Sequence, residues 1–218
     1  IYNRTRAKAE QLAERGAGIV GSRAELAGSD ILFTMVSTSD DLKDVLLGEN
    51  GVVAGGRGAP RIVVDCSSIS EDSSVEIRRA LEAAGSQLVA APVSGNGKCV
   101  RAGKLSVIAS GPAGAFAGVE DLLKTIAPRV VTYAGEGDKA RIVKICHNVL
   151  LGVVAQTLAE ITVLAEKAGV PRHAFLEFIN KSVLGSVFTQ YKTPAYVNLD
   201  FTTTFTPYLL RKDLDLGL

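Results

Sequence analysis

The sequence predicts an α/β fold with a doubly wound parallel sheet, followed by an all-α domain that a long helix joins to it. Over the first 137 residues, short apolar runs of strand length alternate with helix-length segments. That order is typical of a parallel sheet covered on both faces. From Asp138 no helix breaker occurs until Gly169, so one helix of about thirty residues is expected, against a usual mean of about 11–12. Only helical and loop patterns come after it.

The elements follow from the local pattern in chain order. Ile1 and Tyr2 are predicted to end a strand, and a helix follows from Thr5 to Arg15, with Gly16 ending it. Further strands are predicted at residues 18–20, 30–36, 61–68, 86–95, 104–111 and 129–135. Further helices are predicted at residues 24–29, 40–46, 71–84, 112–123 and 138–168. Pro171 begins the next helix, at a position where proline is tolerated.

Composition limits the function classes. The chain has 218 residues, 47% of them hydrophobic, and a net charge of +1, which argues against disorder and against a charge-driven nucleic-acid or membrane interface. Cys66, Cys99 and Cys146 show no pair spacing, so they are interpreted as reduced thiols of a cytoplasmic protein without a bound metal. No apolar run is expected to reach the roughly 18 residues of a membrane helix, and no signal peptide is recognised.

Small polar residues follow the predicted strands at their carboxyl ends, where open α/β sheets bind ligands. They are Asn3-Arg4-Thr5, Ser37-Thr38, Ser67-Ser68 and the run at 92–97. Any one of them could cap a helix, but four together favour a bound polar ligand. Arg4 stands where dinucleotide folds meet the adenosine ribose, with no acid in the same segment, and an arginine there accommodates a 2′-phosphate. The alternative is a solvated arginine beside an N-cap threonine.

Helix spacing places Lys144, His147 and Asn148 on one face of the long helix. Lys144 and Asn148 lie one turn apart and can both reach one small molecule. A solvated lysine has a pKa of about 10.4 and is a poor base at neutral pH, whereas burial among residues such as Val143 and Val149 would lower that pKa. Alternatively, Lys144 extends from an amphipathic helix into solvent. His147 is either a second proton carrier or orienting donor, or a core histidine bonded to a neighbour.

These motifs resemble those of the β-hydroxyacid dehydrogenase family, which includes 3-hydroxyisobutyrate dehydrogenase, tartronate semialdehyde reductase and L-threonate dehydrogenase. The resemblance spans essentially the whole chain. The segments that carry it are NRT (3–5), TMVSTSDDLKDVL (34–46), DCSSIS (65–70), APVSGNGKCVRAGKLSVIASG (91–111), GEGDKARIVKICHNVLLG (135–152) and LLRKDLDLGL (209–218). It implies a Rossmann-like dinucleotide-binding domain at 1–137 and an all-α substrate and dimerisation domain at 138–218.

The resemblance also implies roles for particular residues. Lys144 would be the catalytic acid/base, with Asn148 beside it in the active site. The residues that would bind the substrate are Ser94, Gly95, Asn96 and His147. The residues that would bind the cofactor, NADP with NAD also possible, are Asn3, Arg4, Thr5, Val36, Ser37, Ser68 and Lys212. Asp213 would lie near the cofactor and the active site.

Three features depart from the family pattern. The N-terminal strand with its G-x-G-x-x-G loop and a C-terminal helical stretch are absent, and we expect these parts to be missing from the chain rather than lost from the protein. Asn96 replaces the second glycine of the Ser-Gly-Gly loop, which is expected to alter a backbone contact. His147 replaces the first asparagine of a pair, as in threonate-type members.

The resulting hypothesis is an NADP-preferring dehydrogenase or reductase of small 3-hydroxy acids or their semialdehydes. A homodimer or homotetramer in the cytoplasm is expected, acting on a small molecule and not on nucleic acid or membrane. One alternative is a catalytically silent dinucleotide-binding interaction protein, and another is an imine reductase-like enzyme. Lys144 argues against both, because silent relatives lose that lysine and imine reductases carry other groups there.

Overall fold

A computed structural model describes residues 1–56, 58–200, 202–203 and 206–216. Arg57 and the last two residues of the LLRKDLDLGL motif lie outside the described residues. The chain forms two compact units, one comprising Ile1–Ile145 together with Asp215, the other comprising Cys146–Leu214. The predicted domain boundary at 137/138 stays a prediction.

A parallel three-stranded sheet organises the first unit. Its strands are β1 (Ile31–Thr34), β2 (Ile62–Asp65) and β3 (Gln87–Ala90), in the order β1-β2-β3. Thr34 pairs with Asp65, and Asp65 with Ala90, so the three carboxyl ends lie in register at one edge. Successive residues of β2 point into two different cores: Val63 belongs to one, and Ile62 and Val64 to the other. The sheet is therefore covered on both faces, as a doubly wound fold requires.

The helices of this unit follow the predicted order, with three differences in extent. The helix predicted at 5–15 is α-helical only to Glu10, the one predicted at 24–29 is a 3-10 turn, and the one predicted at 112–123 divides into two helices after Ala117. They are α1 (Arg6–Glu10), α2 (Ser39–Leu47), α3 (Glu71–Ala83), α4 (Gly97–Arg101), α5 (Ala113–Ala117) and α6 (Glu120–Ile126). Short 3-10 turns occupy Ala13–Arg15, Arg23–Gly28 and Ala54–Gly56. Side-chain caps set three of the starts: Thr38 accepts from the Asp41 N–H, Ser70 from the Ser73 N–H, and Asn96 from the first N–H groups of α4.

A second sheet corrects the expectation of parallel strands throughout. It contains β4 (Val93–Ser94), β5 (Ser106–Ala109) and β6 (Val130–Tyr133), with β4 antiparallel to β5 and β5 parallel to β6. The predicted single strand at 86–95 is interrupted after Ala90 and resumes as β4. The glycine-rich loop predicted after it contains the short helix α4.

The strand predicted at residues 18–20 is absent. These residues run beside the first residues of the chain, and the Val20 N–H donates to the Ile1 carbonyl. Ile1 also donates from its amino group to the Gly18 carbonyl. The apolar pattern therefore identifies a paired segment, but the pairing is too short to make a strand.

The long helix predicted from Asp138 is confirmed as α7 (Lys139–Lys167), 29 residues in length. Gly169 follows it in the left-handed region at φ 85°. The second unit continues with α8 (Arg172–Lys181), α9 (Val187–Asn198) and α10 (Pro207–Asp215). A small core contains Leu158, Leu176 and Ile179. The fold class, an α/β sheet domain followed by an all-α domain, is confirmed.

The composition of α7 corrects one sequence-based expectation. A window of 18 residues in this helix has a mean hydropathy of 1.6, which meets the length and composition of a membrane span. Only 17% of that window is buried. Length and composition alone are weak evidence for a span, because the core helix of a soluble protein, which is mostly buried, meets the same criterion.

Candidate active site

The carboxyl ends of β1 and β2 are tied together by side chains. The Val36 N–H donates to Ser67 Oγ at 2.9 Å, and the Ser67 hydroxyl donates to Asp65 Oδ1 at 2.7 Å. Asp65 Oδ1 also accepts from the Thr34 hydroxyl at 2.8 Å. The predicted cofactor residues Val36 and Ser68 therefore follow neighbouring strands at one hydrogen-bonded edge of the sheet.

A surface hollow lies beside the first residues of the chain. Its lining includes the predicted cofactor residues Asn3 and Arg4, and also Arg6, which the sequence analysis did not single out. The Arg4 side chain is 88% exposed and lies 3.6 Å from Asp41. An acid is therefore present near Arg4, contrary to expectation, because α2 supplies one from elsewhere in the chain. An ion pair this exposed contributes about 0–1 kcal/mol, so Arg4 is readily available to a stronger anion.

Local hydrogen bonds already use part of the NRT segment. The Thr5 N–H donates to Asn3 Oδ1 at 2.9 Å, which closes the turn before α1. Thr5 stands at the N-cap position of α1 without making a side-chain cap. Asn3 thus shapes the turn, while the Thr5 hydroxyl makes no capping bond.

The turn after β4 requires its glycine. Gly95 has φ 132°, and a Cβ there would lie 2.8 Å from Cys99 Cβ and 3.0 Å from Leu105 Cδ1. Asn96 caps α4, accepting from the N–H groups of Lys98 and Cys99 at 3.0 and 3.2 Å. Asparagine is a strong N-cap residue, so the departure from the family glycine supplies a helix start.

On α7 the expected apolar surroundings of Lys144 are only partly present. Lys144 is half-buried. Its neighbours Val143 and Val149 are each 44% exposed in the chain, so they do not form the closed apolar pocket that was expected. Lys144 lies in the first compact unit, and Ser94, the predicted carboxylate ligand, belongs to the same unit.

Within the second unit, four polar side chains form a chain of contacts. The Asn148 amide donates to Asp213 Oδ2 at 2.6 Å, and both residues are buried. Lys212 Nζ lies 2.9 Å from Asp213 Oδ1. His147 Nδ1 lies 3.0 Å from Asn148 Oδ1. A carboxylate only accepts, which fixes the amide orientation, so His147 Nδ1 must carry a proton to donate to the amide oxygen.

A buried charge cluster was missed by the sequence analysis. The Arg141 guanidinium forms an ion pair with Asp65 at 3.0 Å, and their side chains are 1% and 0% exposed. Asp138 lies 3.8 Å from Arg141 and 2.8 Å from Arg78. The sequence carries only a weak signal for this cluster, namely an aspartate that ends an apolar strand and an arginine near the start of an apolar helix.

The cluster alters the ionisation of its neighbours. Burial raises the pKa of the Asp138 carboxyl, but hydrogen bonds from Arg78 and Ser74 and the charges of Arg78 and Arg141 outweigh burial, leaving that pKa below its ordinary value. Burial and the adjacent Asp65 carboxylate raise the pKa of the Cys66 thiol to about 12. Cys66 is therefore an unreactive thiol at neutral pH.

A parallel sheet covered on both faces, with polar groups along one carboxyl edge, is typical of the dinucleotide-binding class of proteins. A profile described as the NAD binding domain of 6-phosphogluconate dehydrogenase matches residues 1–135. A second, described as NAD-binding of NADP-dependent 3-hydroxyisobutyrate dehydrogenase, matches residues 138–218. The chain belongs to the β-hydroxyacid dehydrogenase family, and its cofactor is of the NAD(P) type, NADP as predicted.

Individual relatives agree with this assignment. The 3-hydroxyisobutyrate dehydrogenase of Pseudomonas aeruginosa is 30% identical over 95% of this chain and 72% of its own length. A crystal structure of 3-hydroxyisobutyrate dehydrogenase from Salmonella typhimurium matches with a TM-score of 0.80 and 30% identity, over 97% of this chain and 74% of the other. The human cytokine-like nuclear factor N-PAC is 28% identical over all of this chain, which spans 39% of that protein.

Proposed function

We propose that the chain transfers a hydride between NADP(H) and a small 3-hydroxy acid or its semialdehyde, with Lys144 as the general acid/base. The observation that carries the proposal is the pair Lys144 and Asn148 on α7, with the Asn148 amide held by Asp213 at 2.6 Å. Asp213 accepts one of the two hydrogens of the amide nitrogen, which gives the side chain a fixed orientation. Bound NADP supplies the nicotinamide that accepts or gives up the hydride.

In the direction of oxidation, the substrate hydroxyl proton must leave as the hydride departs from the same carbon. Lys144 in its neutral form accepts that proton, and in the direction of reduction its ammonium form returns a proton to the new alkoxide. Asn148 orients the hydroxyl or carbonyl oxygen. His147, with a proton fixed on Nδ1, serves as a positioning donor.

Substrate selection is assigned to the turn after β4. Ser94 and the backbone N–H groups at Gly95 and Asn96 would hold the substrate carboxylate, which fixes which carbon faces the cofactor. A positive φ at Gly95 is what lets this turn double back tightly. We propose that this turn and Lys144, both in the first unit, serve one active site.

Cofactor binding is assigned to the sheet edge. The fit rests on the hollow that Arg4 and Arg6 line, since two guanidinium groups beside a polar turn suit a phosphate. Arg4, with Asn3 and Thr5, would bind the 2′-phosphate of NADP. The other cofactor contacts are proposed for Val36, Ser37, Ser68 and Lys212.

The proposal extends to assembly and location. We propose a homodimer or homotetramer in the cytoplasm. Apolar side chains of α7 are exposed in the single chain, among them Leu150 at 62% and Leu164 at 68%, and exposed apolar patches of this kind mark association surfaces.

The decisive experiment is a panel of C3–C4 hydroxy acids and semialdehydes, assayed with NADP(H) and with NAD(H) by nicotinamide absorbance. At least one substrate should be turned over, and a Lys144→Ala variant should lower kcat for that substrate by about 10²-fold or more. If no substrate reacts while NADPH still binds, the catalytically silent interaction protein is the better interpretation. If cyclic imines react and hydroxy acids do not, the imine reductase-like alternative is correct.

A further inference from the structure

Arg141 is the most deeply buried basic side chain among the described residues, and no proposed catalytic step uses it. It belongs to α7, three residues before Lys144, and its side chain is 1% exposed. Burying a charge is costly, and a buried ion pair often stabilises a fold no better than apolar residues of the same size. A buried ion pair can, however, fix the geometry of the groups that it joins, which apolar packing would not do.

The guanidinium contacts both the last residue of β2 and the segment that follows it. Nη2 lies 3.0 Å from the Asp65 carboxylate, and Nη1 donates to the Ser67 carbonyl at 3.1 Å. That segment continues directly into Ser68, one of the proposed cofactor contacts. Through Ser67 Oγ it also accepts the Val36 N–H at 2.9 Å, so the same guanidinium supports both strand ends of the cofactor edge.

The same side chain also fixes the beginning of α7. Arg141 Nε donates to Ser74 Oγ on α3 at 2.6 Å, and the Ser74 hydroxyl donates to Asp138. The Ala140 N–H donates to Ser110 Oγ at 3.0 Å. Directional polar bonds, rather than apolar contacts alone, thus set the position of the turn that precedes Lys144.

We propose that Arg141 is a positioning residue for the reaction: it holds the cofactor-bearing segment after β2 against the turn of α7 that carries Lys144. Both attachments lie within the first compact unit. The idea rests on the function proposed above for Lys144. The cluster is balanced in charge, with Arg141 and Arg78 facing Asp65 and Asp138, so its contribution is geometric rather than a net field at the site.

The test compares Arg141→Gln and Arg141→Lys with the wild type. NADPH affinity is measured by fluorescence titration, and kcat and KM are measured with the best substrate from the panel. Arg141→Gln should weaken NADPH binding by about tenfold or more. It should also lower kcat by about tenfold or more, because small displacements of reacting groups strongly reduce the rate. Arg141→Lys keeps the charge but loses the fork of donors, so it should recover part of each loss.

Arg78→Gln is the matched control. Arg78 belongs to the same cluster through Asp138, but its other contacts are the carbonyls of Leu88 and Gly137, away from the edge after β2. Arg78→Gln should lower thermal stability while leaving NADPH affinity and kcat within about twofold. Hydrogen exchange should show faster opening at residues 62–70 in Arg141→Gln only.

The outcomes separate this proposal from the proposed function. Weakened NADPH binding with locally faster exchange in Arg141→Gln supports the positioning role even if no hydroxy acid proves to be a substrate. A folded Arg141→Gln with NADPH affinity and kcat within twofold of wild type overturns it. Equal losses in Arg78→Gln, or the failure of both Arg141 variants to fold, would show a general role in stability and would also overturn it.

Discussion

Helix spacing alone places Lys144 and Asn148 on one face, because residues four apart on a helix are neighbours. Their catalytic roles are predicted from the resemblance to the family motif. The partners of Asn148 and of Arg141 were harder to predict. Asp213 approaches Asn148 from α10, and Asp65 approaches Arg141 from β2. Such pairs leave no periodic signal in the sequence, so they emerge only once the fold brings distant segments together.

At Lys144, replacement by alanine should lower kcat by about 10²-fold or more, the size of a general acid/base contribution. NADPH affinity should change little, because the proposed role concerns the proton and not the dinucleotide. Lys139→Ala is the control, since Lys139 is an exposed lysine in the first turn of the same helix. Near-normal turnover in Lys144→Ala would show that another group carries the proton.

At Arg4, the expected result is a preference for NADP over NAD of about tenfold or more in kcat/KM, about 1.4 kcal/mol of transition-state binding. The 2′-phosphate offers a stronger partner than Asp41, whose ion pair with Arg4 is exposed. Arg4→Ala should remove most of the preference and leave NAD kinetics nearly unchanged. Arg15→Ala, another exposed arginine near α1, should keep the preference. A wild type that favours NAD would contradict the assignment of Arg4 and leave Lys144 unaffected.

Among the elements, those with strong periodicity and a clear breaker were predicted well, including α3, α7 and the three parallel strands. The misassigned ones are short. Residues 18–20 have strand-like composition but too few paired neighbours to form a strand. α4 lies in a glycine-rich segment with no apolar period, and its start depends on the Asn96 side-chain cap, which the family glycine would not provide.

The turn between β4 and α4 gives a stability prediction. Gly95→Ala should lower the free energy of unfolding by about 1–3 kcal/mol, because alanine is strained at φ 132° and its Cβ would meet Cys99. Gly114→Ala is the comparison, since Gly114 lies within α5 and no atom lies within 4 Å of an added Cβ. That variant should be unchanged or stabilised by up to about 1 kcal/mol. Urea unfolding measures both, and equal stability of Gly95→Ala and wild type would contradict the strain argument.

The contacts that join α3 to α7 predict a pH dependence. The pKa of Asp138 is lower in the folded chain than its ordinary value, so its stabilising effect is complete above the unfolded value of about 3.9 and is lost as pH falls through the folded value. Wild-type stability should therefore decline below about pH 4. Asp138→Asn should be less stable at pH 7 and decline less steeply on the acid side. Asp121→Asn, at a fully exposed side chain, should keep the wild-type dependence of stability on pH. If Asp138→Asn loses stability below pH 4 as steeply as the wild type does, Asp138 is not the group responsible.

At the scale of the whole molecule, the order of elements was enough to predict an α/β domain followed by an all-α domain. What sequence pattern could not supply is the exposure of α7. An apolar helix is compatible with a buried core, a membrane or a partner, and only the solvent exposure of its side chains separates the first from the other two. In the single chain only 17% of an 18-residue apolar window of α7 is buried, which makes association the next question.

Within the second unit, an exposed stripe on α7 consists of Cys146, Leu150, Val153, Thr157 and Leu164. Its spacing of three, four and seven residues places these side chains along one side of the helix, as in packed helix pairs. Each chain now exposes the apolar area of this stripe, and a dimer or tetramer that buries the stripe would remove that area from water. We therefore expect light scattering to give a multiple of the monomer mass, and liposome flotation to leave the protein unbound.

The double variant Leu150→Glu with Leu164→Glu should shift the mass toward the monomer, because assembly would bury two unpaired carboxylates. Gln156→Glu adds a carboxylate on the same helix outside the stripe, so it should keep the wild-type mass. A wild type that is monomeric at micromolar concentration would contradict the proposed assembly. Flotation with the liposomes would instead mean that α7 contacts lipid. If the double variant keeps the assembled mass, the copies associate through another surface, and the exposed stripe has a different partner.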